Sequence, residues 1–471
     1  MVRFLELFKP ISPFLPEVKK PERKVSFNRR LMWTLLAMVA YLIMAEVPLY
    51  GVDKTQSISQ SYSVQQIIMA STDYTLLHLG IGPIVTAGLI LQLLSGALIE
   101  FDNRNPEDRA LFQTVSKLFS ILMILLQAVL MVNGGQFGNL DFGMKLIVLG
   151  QLLAAGIVII LLDEMIQKGW GIGSGISLFI VAGITKNLWW QSFSFITVGD
   201  GKAFGAIPAF IQTVMAGDNW VNWFYRPGGW PSMIGLFATI VVFAFVIYVE
   251  GMRVELPLSH ASYRGFRSKM PIKLLYVSNI PVILAFTAFQ NVYLIGWWIW
   301  QSFNSLNANA LLNAIAMYNT TDPQPMAPIG GLAYYVTSPG TFEGITADPF
   351  KAIIYLLIIV GTCVAFSLIW LEIGGIGPED MADQLLGSGM QVPGFRRSKK
   401  PLVALLNRYI PTITIIGGLI IGILAALSDY FGVFGSGMGA LLCVSIMYQY
   451  YQVMVQEQVE DLYPFLRGAF S

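Results

Sequence analysis

Leu79-Gly80-Ile81-Gly82-Pro83-Ile84-Val85-Thr86 lies inside an apolar stretch, residues 76–99, that carries a histidine near its start and ends at Glu100. About 20 apolar residues suffice for a helix to cross a bilayer, so 76–99 reads as a membrane span. Gly82-Pro83 interrupts it, because proline lacks the N–H that a helix interior needs. In hydrocarbon, the freed backbone groups must face protein or a water-filled cavity, never lipid. Ile81 and Val85 are four apart and share one helical face. A second helix start, Gly173-Ser174-Gly175, is followed by Ile176 and Ile180 at the same spacing.

Composition extends this reading to the whole chain. Of 471 residues, 55% are apolar and 12% charged, against roughly a quarter charged in soluble domains. The chain is a multi-span membrane protein. Its two cysteines, Cys363 and Cys443, both fall in apolar stretches. They offer neither a disulfide framework nor metal-ligand spacing, and read as small buried hydrophobes. The net charge of +1 implies no acidic partner.

Ten spans are expected, in an all-α polytopic fold of two inverted five-helix halves around a central pore. Residues 1–30 form a basic N-terminal segment, in which Phe4, Leu7, Phe8 and Ile11 make the apolar stripe of a helix lying in the membrane interface. The N-terminal half, 31–188, holds spans at 31–50, 76–99, 118–132, 146–162 and 176–188. A long polar and aromatic loop covers 189–232. The C-terminal half, 233–453, holds spans at 233–248, 274–300, 352–371, 410–428 and 438–453. Two basic loops, 250–273 and 372–409, lie within that half, and 454–471 form the C-terminal segment. With the N-terminus inside, 23 of the 29 lysines and arginines fall on the inner side. That excess places both termini in the cytoplasm.

An odd number of spans per half makes a repeat of halves an inverted one. Ile81-Gly82-Pro83-Ile84-Val85 in span two matches Asn279-Ile280-Pro281-Val282-Ile283 in span seven. Gly-Ser-Gly precedes spans five and ten, at Gly173 to Gly175 and at Gly435 to Gly437. The repeat therefore pairs Val85 with Ile283 and Ile180 with Leu442. These side chains, with Ile81 and Ile176, are read as an apolar collar.

The chemistry of pumps and enzymes is missing. Glu46, His78, Glu250 and Glu372 stand at or near span ends, where they can reach the interface. The spans carry no carboxylate pair, no metal cluster and no nucleophile–base set, so no catalytic residue, metal or cofactor is expected. Gly171 to Gly175 lacks the lysine of a phosphate loop, and His78 and His260 are lone histidines. An apolar constriction gates by excluding water, which suits a substrate that is large and chemically varied. The alternative, a secondary transporter with inverted repeats, needs a polar site at the midplane, and only scattered Thr, Gln and Asn are present. Arg264, Arg267, Lys269 and Lys273 in one basic loop, and Arg396, Arg397, Lys399 and Lys400 in the other, suit RNA phosphates. Pro393-Gly394 makes Arg396-Arg397 project.

Several segments carry a resemblance to a known family. They are Leu15-Pro16-Glu17, Leu79 to Gly88, Asp108-Arg109-Ala110-Leu111-Phe112-Gln113, Gly171 to Phe179, Arg253-Val254-Glu255-Leu256-Pro257, Pro271-Ile272-Lys273, Val277 to Leu284, and Gly394-Phe395-Arg396-Arg397. Together they resemble the SecY-type protein-translocation channel, archaeal and eukaryotic branch, over nearly the whole chain. Gly80 to Gly88 is nearer in wording to archaeal members. The resemblance implies a non-enzymatic pore that passes secretory polypeptides and releases apolar segments sideways into lipid. It implies a pore ring of Ile81, Val85, Ile176, Ile180, Ile283 and Leu442. A plug is implied at 61–71, with Ser61, Val64, Ile67, Ile68 and Met69. Polar lateral-gate positions follow at Thr86, Gln127 and Asn291, and ribosome-docking residues at Arg264, Arg267, Lys269, Arg396, Arg397, Lys399 and Lys400. The implied partners are two small single-span translocase subunits (SecE/gamma type and beta type), the ribosome, signal peptides, nascent chains and membrane lipid. The implied location is the plasma membrane of a prokaryote, with the endoplasmic reticulum as the alternative. Two features depart from the pattern: the plug stretch is polar (Gln65, Gln66), and the loops after spans five and seven are long and aromatic.

Overall fold

Ten long helices follow one another in the computed structural model, which describes residues 13, 15–23, 25–52, 71–97, 106–138, 140–197, 201–217, 219–226, 229–260, 267–277, 280–320, 328–340, 342–387, 390–391 and 398–462. They are span one Phe27–Glu46, two Gly82–Ala97, three Pro106–Asn133, four Phe142–Met165, five Gly175–Phe193, six Met233–Gly251, seven Ile280–Phe303, eight Pro349–Ile373, nine Lys399–Tyr430 and ten Gly437–Leu462. Seven are long and apolar enough to cross a membrane by length and composition alone. The others are span two, with only 16 residues, and spans one and five, which carry Arg29, Arg30, Lys186 and Asn187.

Several boundaries differ from the sequence expectation, each for a local reason. Residues 76–81 form turns rather than helix, and span two begins at Gly82. Pro83 therefore occupies the first turn, where a missing N–H costs nothing. Pro281 likewise stands second in span seven. Both prolines start helices and kink neither. Span three begins at Pro106, within what reads as a charged turn. Span four continues into a π-helical turn, Ile166–Trp170, ended by Gly169 at φ +101°. Span nine extends from Lys399, so that Lys399 and Lys400 belong to a helix and not to the basic loop. The loop after span five holds two short helices, Ala206–Met215 and Trp220–Phe224.

Sheet structure is minor but informative. Strands β1 (Arg253–His260) and β2 (Arg267–Lys273) pair antiparallel. Strands β3 (Met317–Tyr318) and β4 (Pro328–Gly330) form a separate pair in the loop after span seven. Strand β5 (Met390–Gln391) joins β1, with Ser259 opposite Gln391 and His260 opposite Met390. The basic loops therefore share one sheet of order β2-β1-β5.

Two Gly-Ser-Gly turns explain how spans five and ten enter the core. Gly173 and Gly435 have φ of +74° and +73°, a region open to glycine at no steric cost. The last glycine of each turn is pressed against the end of the preceding span. A Cβ on Gly175 would lie 2.7 Å from Asp163 Cα, and one on Gly437 would overlap Ser428. A carboxylate receives span five and another stands at the end of span nine. Asp163 Oδ1 accepts the Ile176 N–H at 3.0 Å, whereas Asp429 Oδ1 is buried with no donor among the described residues. Tyr355 of span eight donates to Asp429 Oδ2 at 2.7 Å. Both acids stand one residue past an expected span end and were not among the acids that the sequence singled out.

Spans eight and nine approach on small residues, the usual means of close packing where lipid gives no hydrophobic drive. Gly418 faces Cys363 and Val364, and a Cβ at Gly422 would stand 2.7 Å from Val360 Cα. Cys363 is buried and free in this seam, and Cys443 is buried and free on span ten. Gly422→Ala is expected to force the helices apart and lower the thermal unfolding midpoint in detergent, at an overpacking cost of about 1–3 kcal/mol. Gly361→Ala, where a Cβ meets nothing within 4 Å, is expected to leave the midpoint level or raise it slightly. Equal midpoints for the two variants would contradict the packing argument.

Candidate functional site: an apolar collar and a polar seam

The six predicted collar residues meet in one apolar cluster at the centre of the helix bundle. Ile81 is fully buried and stands one residue before span two. Its carbonyl accepts the N–H groups of Ile84 and Val85, both at 3.1 Å. The turn thus aims Ile81 and Val85 the same way even though Ile81 lies outside the helix. Ile176 and Ile180 occupy the first two turns of span five, and Ile180 is fully buried. Ile283 stands in the first turn of span seven and Leu442 in the second turn of span ten. Leu442 is fully buried, while Val85, Ile176 and Ile283 are partly so. The collar is built from four helix beginnings, so each side chain sits beside a break in the chain.

Among the buried members of the same cluster that sequence reasoning missed are Phe286 and Leu441. Phe286 is one turn past Ile283, and that spacing could have identified it. Tyr41 of span one stacks on Phe179 at 4.8 Å behind Ile180. Such contacts between distant spans leave no trace in sequence spacing.

Thr86, Gln127 and Asn291 come from spans two, three and seven and close a triangle of hydrogen bonds. Gln127 Nε2 donates to Asn291 Oδ1 at 3.2 Å and to Thr86 Oγ1 at 3.4 Å. Asn291 Nδ2 donates to Thr86 Oγ1 at 3.1 Å and to the Thr287 carbonyl at 2.9 Å. The Thr86 hydroxyl spends its own proton on the Gly82 carbonyl at 2.8 Å. Thr86 and Gln127 are almost completely buried. A neighbour absent from the sequence reading is Gln290. Its Oε1 is buried with no donor among the described residues and would lie 3.2 Å from a Cβ on Gly82. The seam between spans two and seven thus holds a satisfied triangle and one unsatisfied acceptor.

The basic residues divide. Lys269 on β2 is exposed and pairs with Glu255 on β1 at 2.6 Å, and the hydrogen bond from its ammonium to Glu255 holds it above the usual lysine range. Lys399 pairs with Asp383 at 3.0 Å, and Lys400 beside it is exposed. Arg267 opens β2, opposite Ser259. Arg264, Arg396 and Arg397 lie outside the described residues, as do the plug positions Ser61, Val64, Ile67, Ile68 and Met69. Exposed pairs of this kind contribute about 0–1 kcal/mol, so Lys269 and Lys399 can exchange partners.

The acidic and histidine positions have structural duties. Glu250, expected to reach the interface, is buried and takes bonds from Lys273 at 3.3 Å and Ser445 at 3.2 Å. It ties the base of the β1–β2 hairpin to span ten. His78 accepts the Tyr74 N–H on Nδ1 at 3.2 Å, its Nε2 stands 3.5 Å from Gln136 Oε1, and its ring lies against Phe137. His260 pairs through its backbone with β5. Among the described residues no group of three His, Cys, Asp or Glu side chains could hold a metal ion.

Comparison with known proteins agrees with this arrangement. The SecY family model matches residues 75–451, and the model of the plug domain of Sec61p matches residues 39–73. A solved structure described as a protein conducting channel is similar at 35% identity and a TM-score of 0.80, over 97% of this chain and 98% of that one. Canine Sec61, from a ribosome–channel complex of the endoplasmic reticulum, is similar at 35% identity and a TM-score of 0.77, over the same shares. The yeast Ssh1 complex bound to the 80S ribosome is similar at 25% identity and a TM-score of 0.78, over 98% of this chain and 96% of that one. The match covers most of the chain, including all four helix beginnings that make the collar: this chain belongs to the SecY family.

Proposed function

We propose that this chain is the central pore-forming subunit of a protein-conducting channel. Secretory polypeptides pass through the collar of Ile81, Val85, Ile176, Ile180, Ile283 and Leu442, and apolar segments leave sideways between spans two and seven. The observation that carries this reading is the adjacency of two unlike features: a ring of branched apolar side chains and a weakly bonded polar seam. The first seals without recognising sequence. The second holds shut by hydrogen bonds worth about 0.6 kcal/mol each inside a membrane. An apolar segment entering lipid gains about 0.8 kcal/mol per buried CH₂ and outweighs the seam easily. The chain does no bond-making chemistry, and energy for transport comes from its partners.

The plug is assigned to 61–71, with Ser61, Val64, Ile67, Ile68 and Met69. The partners are two small single-span subunits, the ribosome, signal peptides, nascent chains and lipid. Arg264, Arg267, Lys269, Arg396, Arg397, Lys399 and Lys400 face the ribosome. The support for this grouping is the shared sheet, since β5 carries the second basic loop up against the β1–β2 hairpin. The setting is a prokaryotic plasma membrane, with the endoplasmic reticulum as the alternative; the 23-of-29 bias in lysine and arginine supports cytoplasmic termini in either.

Changing Ile81, Val85, Ile180 and Ile283 together to Gly is expected to give measurable ion conductance across planar bilayers. A tight bilayer with that variant would overturn the collar assignment.

The seam is tested by inserting a graded series of Leu/Ala segments. Asn291→Leu removes one acceptor and one donor from the triangle and is expected to lower the hydrophobicity at which half the segments enter lipid. Gln290→Leu removes an acceptor whose burial costs the shut state about 1–3 kcal/mol. It is expected to raise that midpoint. Two midpoints equal to the unmodified channel would show that these amides do not set the gate.

Reversing Arg396 and Arg397 to Glu is expected to weaken ribosome binding. The salt slope of the remaining binding should fall by about one unit for each phosphate that is no longer neutralised. Unchanged affinity and slope would leave the pair with a role in topology only.

A further inference from the structure

The connection between spans five and six runs against the usual arrangement of a loop in water. Between Lys202 and Arg226 the sequence carries a single charge, Asp218. The helix Ala206–Met215 turns Ala206, Ala209 and Thr213 inward, where it packs on spans five and six. Its outward stripe is Ile211, Val214 and Met215, at helical spacings of three and four. Met215 is 83% exposed. The next helix, Trp220–Phe224, presents Trp220 at 67% exposure, with Phe224 one turn on. Phe195, just past span five, is 80% exposed.

Several polar groups of the same region bond back to the protein, while Asn219 and Asn222 are exposed. Gln212 Oε1 accepts the Ala203 N–H at 2.7 Å, and Lys202 Nζ donates to Thr213 Oγ1 at 3.1 Å. Arg226 is buried and donates to the carbonyls of Phe204 at 3.3 Å and Pro231 at 3.4 Å. A segment that shows an apolar stripe outside, with a few exposed amides beside it, suits an interface where acyl chains and headgroups meet. Ten residues of helix are too short to cross a bilayer.

The outward face is continuous with the lipid-facing sides of its two neighbours. Trp189 and Phe193, exposed and 4.5 Å apart, close span five. Ile234, Phe237, Ile240 and Val241 are exposed along span six. The two short helices pack on these two spans in the connection at the end opposite the termini. Tryptophan and tyrosine gather at that depth in membrane proteins, where a ring meets both headgroup and acyl chain.

We propose that the helices Ala206–Met215 and Trp220–Phe224 lie in the headgroup–acyl boundary of the lipid leaflet opposite the termini, with Phe195, Ile211, Met215 and Trp220 inserted. The occupant of this apolar face is lipid. Burial of about 5–10 Å is typical for such helices. Because this segment is the covalent link between the five-helix halves, its seat in lipid anchors both to the bilayer at that point.

The test uses the full chain in vesicles of equal parts phosphatidylcholine and phosphatidylglycerol. Met215→Cys and Phe195→Cys carry a nitroxide label, and both side chains are too exposed for the change to disturb packing. Ile240→Cys, on the lipid-facing side of span six, and Ser305→Cys, in an exposed loop, are the controls. Collision with dissolved oxygen reports lipid, and collision with a water-soluble nickel chelate reports solvent. The expected result is an oxygen-to-chelate ratio at 215 and 195 that approaches the Ile240→Cys value and exceeds the Ser305→Cys value. A ratio equal to that of Ser305→Cys would place the face in water. Low collision rates with both reagents would mean that another protein covers it. Either result overturns the proposal.

Discussion

A bilayer supplies no water to an interrupted helix, and the architecture follows from that constraint. Spans two, five, seven and ten all begin inside the protein. The first N–H groups of a helix have no intrahelical partner, so each beginning needs a local answer. Proline at positions 83 and 281 removes one of these donors at the start of spans two and seven. Asp163 accepts an N–H at the start of span five, and the Ser436 hydroxyl accepts the Gly439 N–H at the start of span ten. Once those ends are settled, short apolar side chains can converge where continuous helices would have packed along their full length.

Two kinds of cohesion therefore meet at the centre and differ in strength and selectivity. The collar gains from many small dispersion contacts, each about 0.1–0.2 kcal/mol, and makes no demand on the sequence that displaces it. The triangle of Thr86, Gln127 and Asn291 is directional, but its bonds are few and long, at 3.1–3.4 Å. The orphaned Gln290 oxygen acts against them. The seam is therefore only just favourable.

The face that carries the termini is organised by pairing that local reading divides. Strand β5 adds to β1, so that two loops separated by spans seven and eight become one surface. Beneath it, Glu250 joins Lys273 at the hairpin base to Ser445, which lies three residues past Leu442. Arg253 and Lys273 also reach Tyr448 of span ten, one through its hydroxyl at 3.2 Å and the other over its ring. The hairpin thus rests on the helix that carries one collar residue.

The membrane class, the ten spans, the inverted halves and the membership of the six collar candidates in one apolar cluster were legible in the sequence. Each depends on a local signal: apolar length, proline and glycine punctuation, or a spacing of three or four along one helix. Thr86, Gln127 and Asn291 were legible only through the family resemblance, since no spacing along one chain announces that three spans will meet. Where spans two and seven begin was misread, because apolarity continues through 76–81 while the backbone there turns. Asp163, Asp429 and Gln290, the burial of Glu250 and the sheet shared by the basic loops were decided by tertiary structure alone. These are contacts between groups far apart in the chain, and a polar residue in an apolar run has no visible partner until the fold brings one to it.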